Sequence, residues 1–419
     1  MAGLALMMPV NFGWAVKGSS LQLELLVFNV PRAITAGAVV AVVVAVLAVT
    51  LVNEMVAWAT AFVALLVLAI NNVLAQTATS ITSLPTLTYV DAVFGGVLLG
   101  AVGAAVLGHR VPGRAFVTGA LAGILVGDLS ASPSAADTMT QLSPLERVIG
   151  WPLTVSPPLW LIVTAAALIS LCAGLRRPWR AVPGPALEVP VRPLISMMLL
   201  AGVTLPTAEW LAERGRDTPA AIVAVLITVL VTAVAALLLP GRDGQIVALA
   251  VAFAAAGCAV IAVPRPDWSI PLLVVGVMVA AWAGGKRPMP VLAATLTVAL
   301  AGYAVFSASR PGESSAIAVT GGLAIACVGG YCFGSTVPQY LPNRVYGLAV
   351  LFVPSVVLGL RGRDFARVGY SQDWYRSASG PHDPVAGWAA VAITLGCALV
   401  VAALARLRRG GPAETSASQ

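Results

Sequence analysis

The sequence predicts an all-α, polytopic membrane protein of about 12–13 transmembrane helices, with two pseudo-symmetric six-helix halves as a candidate arrangement, and three observations carry the prediction. Hydrophobic residues make up 59% of the 419-residue chain and charged residues only 10%, where a soluble domain is roughly a quarter charged. Apolar runs of about 17 to 22 residues recur along almost the whole length, and a bilayer core needs about 20 apolar residues per helix. Alternating strand-like decamers are absent, which argues against an outer-membrane barrel.

Taken in order, the runs predict spans at 35–52, 57–73, 90–108, 115–127, 157–175, 194–208, 219–240, 246–263, 269–284, 289–307, 316–334, 346–360 and 387–405. The 346–360 run is short and relies on Arg361 and Arg363 reaching the interface. The opening "MAGLALMMPVNFGWAVKGSS" places Lys17 after its apolar stretch, unlike a secretory signal. It reads as an interfacial or re-entrant segment, or as the result of a start codon set too early.

Charge sets the orientation. The basic knots "HRVPGR" at 109–114, "RRPWR" at 176–180, "GRDG" at 241–244, "GKRP" at 285–288 and the terminal "RLRR" are separated by pairs of spans, so all fall on one side. By the positive-inside rule that side is the cytoplasm of an inner cell membrane. Lys and Arg divide 13 inside to 11 outside, whereas the acids divide 4 to 13. The formal net charge of +7 does not indicate nucleic acid, because the basic residues sit at helix ends instead of forming a stripe. They face anionic lipid heads. The expected partners are therefore the lipid bilayer and a small-molecule substrate, with protein partners in a membrane complex as a further option.

Three outer loops are long enough for structure of their own: 74–89, 128–156 and 361–386. The last carries Tyr370, Trp374 and Tyr375, and Trp388 follows it, which reads as an interfacial aromatic belt or a cap over a substrate path.

Sliding "GHRVP" by 176 positions lands on "GGKRP", pairing Gly108 with Gly284, Arg110 with Lys286 and Pro112 with Pro288. Each knot follows one apolar span and precedes another, the pattern of a parallel repeat. The expected organisation is an N-terminal segment with an extra helix at 1–56, helical bundles at 57–240 and 246–405, and a disordered cytoplasmic tail at 406–419.

On these residues the chain resembles the major facilitator superfamily, whose loop between helices 2 and 3 has the form G-x-x-x-D-R-x-G-R-R/K. The stretch "GAAVLGHRVPGR" offers Gly103, Arg110, Gly113 and Arg114, with Pro112 as an additional residue between the arginines. Gly108 and His109 stand where that family has its aspartate, and the "GRDG" link is shorter than its central loop. The resemblance implies secondary transport by alternating access, with Arg110, Arg114, Lys286 and Arg287 in gating loops.

Polar groups inside spans are the site candidates, because they are costly there. Asn71, Asn72 and Gln76 stand together at the outer end of their span, as substrate-binding amides or as links to a neighbouring helix. Asp91 and Asp128 each lie at an outer span end, where a carboxyl either takes up a proton from outside or is a solvated end charge. Trp160, Trp282, Tyr303 and Tyr331 fit a substrate path or ordinary packing.

Absences narrow the chemistry. No G-x-x-x-x-G-K-S/T loop is present, and the two histidines, His109 and His382, lie outside the spans. No span carries paired acids or a Ser/His pair for hydrolysis. The five cysteines, all in apolar runs, form no metal or redox motif. No enzyme activity, cofactor or metal is expected. The reading is a secondary transporter, an exporter of a small or amphipathic molecule driven by protons. Its alternative is a non-catalytic membrane subunit of an envelope or secretion assembly.

Overall fold

A computed structural model describes residues 2, 20–50, 54–77, 84–130, 159–175, 191–214, 217–240, 242–260, 268–308, 315–336, 338, 340–361 and 384–407. Its helices are α1 Ser20–Thr50, α2 Glu54–Thr77, α3 Leu84–Val106, α4 Arg110–Ser130, α5 Leu159–Leu175, α6 Val191–Arg214 and α7 Thr218–Leu238. They continue with α8 Gly244–Ala259, α9 Ser269–Lys286, α10 Pro290–Ala308, α11 Ser315–Ser335, α12 Leu341–Val350, α13 Val356–Arg361 and α14 Pro384–Leu407. Eight are long and apolar enough to cross a membrane, and four shorter apolar helices accompany them among the described residues. Among the described residues the fold is all-helical, that of a multi-pass membrane protein.

Every expected span falls on a helix, with three informative differences. The run at 115–127 belongs to a helix that starts at Arg110, because Pro112 lies in its first turn, where a missing N–H costs nothing. The outer loop expected at 74–89 loses both of its ends to helix, since α2 continues to Thr77 and α3 begins at Leu84 with Pro85 in its first turn. The span at 346–360 is broken: α12 ends at Val350 and α13 begins at Val356. Pro354 lies in the break, and the Val357 N–H donates to Ser355 Oγ at 3.3 Å, which starts the second piece. The stretches 131–158, 176–190 and 362–383, including "RRPWR" and Tyr370, Trp374 and Tyr375, lie outside the described residues, as do most of the opening segment and 408–419.

In a bilayer every backbone polar group must be satisfied within the segment, so apolar runs become helices. Hydroxyls in the spans follow suit. Thr204, Thr207, Thr228 and Thr232 donate to the carbonyls of Leu200, Val203, Ala224 and Thr228 on their own helices. The centre of the bundle is α8, whose Ala-rich sequence is buried on nearly every side. It is enclosed by α7, α10, α11, α12, α13 and α14.

The two tightest helix pairs, α1 with α3 and α9 with α11, use the same device. A Cβ on Gly96 would lie 2.0 Å from the Gly37 carbonyl oxygen, and one on Gly100 2.3 Å from that of Ala41. On α11, Cβ atoms on Gly330 and Gly334 would lie 2.5 and 2.3 Å from the Val277 and Ala281 carbonyl oxygens of α9. Small residues four apart let backbones touch where lipid supplies no hydrophobic drive for association.

Candidate functional site

Several contacts gather the basic knots at one end of the bundle. Arg114 lies against Gly285, so the 109–114 and 285–288 knots meet. His109 Nε2 is 3.8 Å from Glu54 Oε1. Asp243, in the "GRDG" knot, is buried and accepts bonds from the Tyr340 N–H at 3.1 Å and Asn343 Nδ2 at 2.7 Å. The Arg344 guanidinium donates to the carbonyls of Pro338, at 3.0 Å, and Leu107, tying the start of α12 to the end of α3. Three of the five knots thus share one end. The helix-turn-helix units α3–α4 and α9–α10 share that end too, but their second helices have different neighbours: α4 lies on α9 and α11, and α10 on α8, α11 and α14.

Above this end two cavities are stacked. The first, about 590 Å³, is lined by His109, Arg114, Arg344 and Thr336 together with Val117, Ile246, Ala281 and Phe333. The second, about 390 Å³, continues along the same four helices with Leu121 of α4, Phe253 and Gly257 of α8, Val277 of α9 and Ile325 and Gly329 of α11. Both volumes fall in the usual range for small-molecule sites, roughly 300 to 1,000 Å³. On α8 the linings are offset from Ile246 to Phe253, seven residues, or about 10 Å along the axis. The far side of the second cavity is the break itself, from Leu351 to Ser355. Irregular backbone at membrane depth is tolerated where it lines a cavity. Apart from the Ser355 hydroxyl the side chains around it are almost all apolar.

The buried amides lie elsewhere, toward the opposite end of α2. Asn71 and Asn72 are buried, and Asn71 Nδ2 donates to the Leu87 carbonyl at 3.0 Å. The Asn71 amide also faces the Asp91 carboxyl, so two of the expected site residues come together across α2 and α3. Asp91 is 9% exposed, and among the described residues no Lys, Arg or His forms an ion pair with it. Thr88, one turn before it, has a buried hydroxyl without a hydrogen-bond partner among the described residues. The side chains of Gln76, Arg110 and Asp128 lie outside the described residues.

The aromatic candidates do not gather. Trp160 is 66% exposed and Trp282 52%, both on outward faces, and Lys286 Nζ stands 3.7 Å over the Trp282 ring. Tyr303 donates to the Ile317 carbonyl at 3.1 Å and bonds Thr320, bracing α10 on α11. Tyr331 donates to the Arg287 carbonyl at 3.0 Å, bracing α11 on the turn after α9. None of the four lines either cavity. Glu209, in the C-terminal part of α6, is held by Arg32 Nε at 2.7 Å and Nη2 at 3.0 Å.

The cavity residues that sequence reasoning passed over include Arg344, Phe253 and Gly257. Arg344 carried a signal, a lone cation against an apolar run, and Pro354 marked the break. Nothing in "AVAFAAAGCA" told which face of α8 meets a cavity, because the helix is apolar all round.

No protein-family model matches the chain, and no curated protein does. Among solved structures the chain is similar to the fucose:proton symporter FucP of E. coli, with 18% identity, a TM-score of 0.41, and coverage of 97% of this chain and 98% of that one. A likeness at that score and identity decides neither family nor substrate.

Proposed function

We propose that the protein is a secondary transporter of a cell membrane, an exporter of small or amphipathic molecules that works by alternating access of two helical bundles, 57–240 and 246–405. The observation that carries the reading is the pair of cavities stacked on α4, α8, α9 and α11 beside a broken helix. A scaffold subunit has no need of an internal path, and the knots at its mouth act as the closing elements. Arg114, Lys286 and Arg287 are the gating residues there. Cargo contacts come from the cavity linings, and Asp91 is the proton-coupling group. A buried carboxyl with no cationic partner among the described residues is a group suited to exchanging a proton, and such residues in membranes mark coupling pathways. Asp128 is the second candidate on the same outer side.

The test uses purified full-length protein in proteoliposomes loaded with a pH-sensitive dye. Anionic, neutral and cationic decyl compounds are added under an imposed pH gradient. Solute-dependent proton flux is expected for at least one head group. Asp91→Asn should retain downhill solute exchange and lose uphill movement, since an amide keeps the size of the carboxyl but exchanges no proton. Absence of solute-dependent flux across the whole series would favour the membrane-subunit reading.

A further inference from the structure

We infer that the two stacked cavities form one site for an amphipathic anion, with the head at Arg114, Arg344 and His109 and the apolar tail toward the break in α12–α13. The inference rests on the transport reading and assigns the chemistry of its cargo. Among the described residues that line the first cavity, His109, Arg114 and Arg344 are the ionisable ones, and no carboxylate joins them. The nearby acids are engaged: Glu54 stands beside His109, and Asp243 accepts from Tyr340 and Asn343. Asp243 is also within electrostatic reach of Arg344. Arg344 spends two of its five donors on the Pro338 and Leu107 carbonyls. Arg114 makes no ion pair among the described residues. Two guanidiniums at the mouth of a low-dielectric cleft favour an anion, and their planar donor forks match a carboxylate or a phosphate.

The second cavity supplies the complementary half. Leu121, Phe253, Val277, Ile325 and Leu358 offer an alkyl chain contacts and a charge nothing. Its linings continue the first cavity's on four helices, so an elongated molecule of head and alkyl chain is the ligand shape that would span both. A cation would meet two arginines at the mouth, and a sugar would find few hydrogen-bonding side chains beyond it.

Gly257 provides a clean obstruction. It lines the apolar cavity, and a Cβ there would meet nothing within 4 Å, so the side chain of Gly257→Leu starts into open space at the cavity wall. The experiment measures binding of radiolabelled decyl phosphate to the full chain in nanodiscs of zwitterionic lipid, with empty discs subtracted. Competition by unlabelled decyl phosphate should be at least about tenfold stronger than by decanol or decyltrimethylammonium. Arg114→Gln should weaken decyl phosphate about tenfold and leave decanol unchanged, and Gly257→Leu should weaken both. Discs containing anionic lipid separate the sources of the ligand: lost probe binding assigns the site to membrane lipid, and unchanged binding to soluble amphipaths. Equal or stronger competition by the cation, no effect of Arg114→Gln in folded protein, or no saturable binding would overturn the assignment. Binding without transport in proteoliposomes leaves this site standing and removes the transporter reading. Transport that favours neutral or cationic decyl compounds does the reverse.

Discussion

Gly334→Ala tests how the cavity walls are held together. The added Cβ would lie 2.3 Å from the Ala281 carbonyl oxygen and 2.9 Å from the Ala281 Cα, both backbone atoms that no rotamer change can move aside. Ordinary contact begins near 3.4 Å, so α9 and α11 must separate locally by about 1 Å. A gap of that size forfeits about a quarter to a half of each dispersion contact it opens. Overpacking of this kind costs about 1–3 kcal/mol. The loss is not recovered elsewhere, since contacts with lipid replace contacts with helix at no hydrophobic gain. Gly257→Ala is the matched control: the same substitution in a helix, in open space, gains about 1 kcal/mol of helix propensity. Thermal unfolding of the purified proteins, followed by intrinsic fluorescence in one detergent, should place Gly334→Ala about 2–6 °C below the parent at roughly 2 °C per kcal/mol. Gly257→Ala should unfold at or above the parent temperature. Gly334→Ala unfolding no lower than Gly257→Ala would refute the claim that backbone contact between α9 and α11 is as close as described. Ala281 lines the first cavity and Val277 the second, so the same variant should also weaken decyl phosphate binding.

Arg344→Lys replaces a planar fork by a point charge and cannot reach both the Leu107 and Pro338 carbonyls. It should cost about 1–3 kcal/mol and speed hydrogen exchange at the end of α3, read by mass spectrometry. Asn71→Ala leaves the Leu87 carbonyl without its donor and the Asp91 carboxyl without its amide neighbour, with an expected loss of about 1–3 kcal/mol in the unfolding assay. For the half-exposed Arg32–Glu209 pair, a double-mutant cycle with Arg32→Gln and Glu209→Gln should return a coupling of only about 0.2–1 kcal/mol, falling as salt rises. A salt-independent coupling would show a pair shielded from solvent.

Run lengths and knots alone determined the class of the protein, the place of nearly every helix and the convergence of three of the five knots. These are local properties: about 20 apolar residues form a helix in lipid whatever surrounds them, and helices of similar length return the chain to the same side every second crossing. The pairing of Asn71 with Asp91 was half legible, since both stood out as polar residues near the outer ends of consecutive spans. What the tertiary structure decided is orientation about each helix axis. Composition that is apolar all round, as in α8, carries no periodic mark of lipid, neighbour or cavity, because lipid and protein interior are solvents of similar polarity. Packing therefore turned Trp160 and Trp282 outward, set Phe253 and Gly257 on a cavity, and brought Arg344 over the Leu107 carbonyl 237 residues away. Those side chains became neighbours only when glycine contacts fixed how far and at what rotation the helices approach.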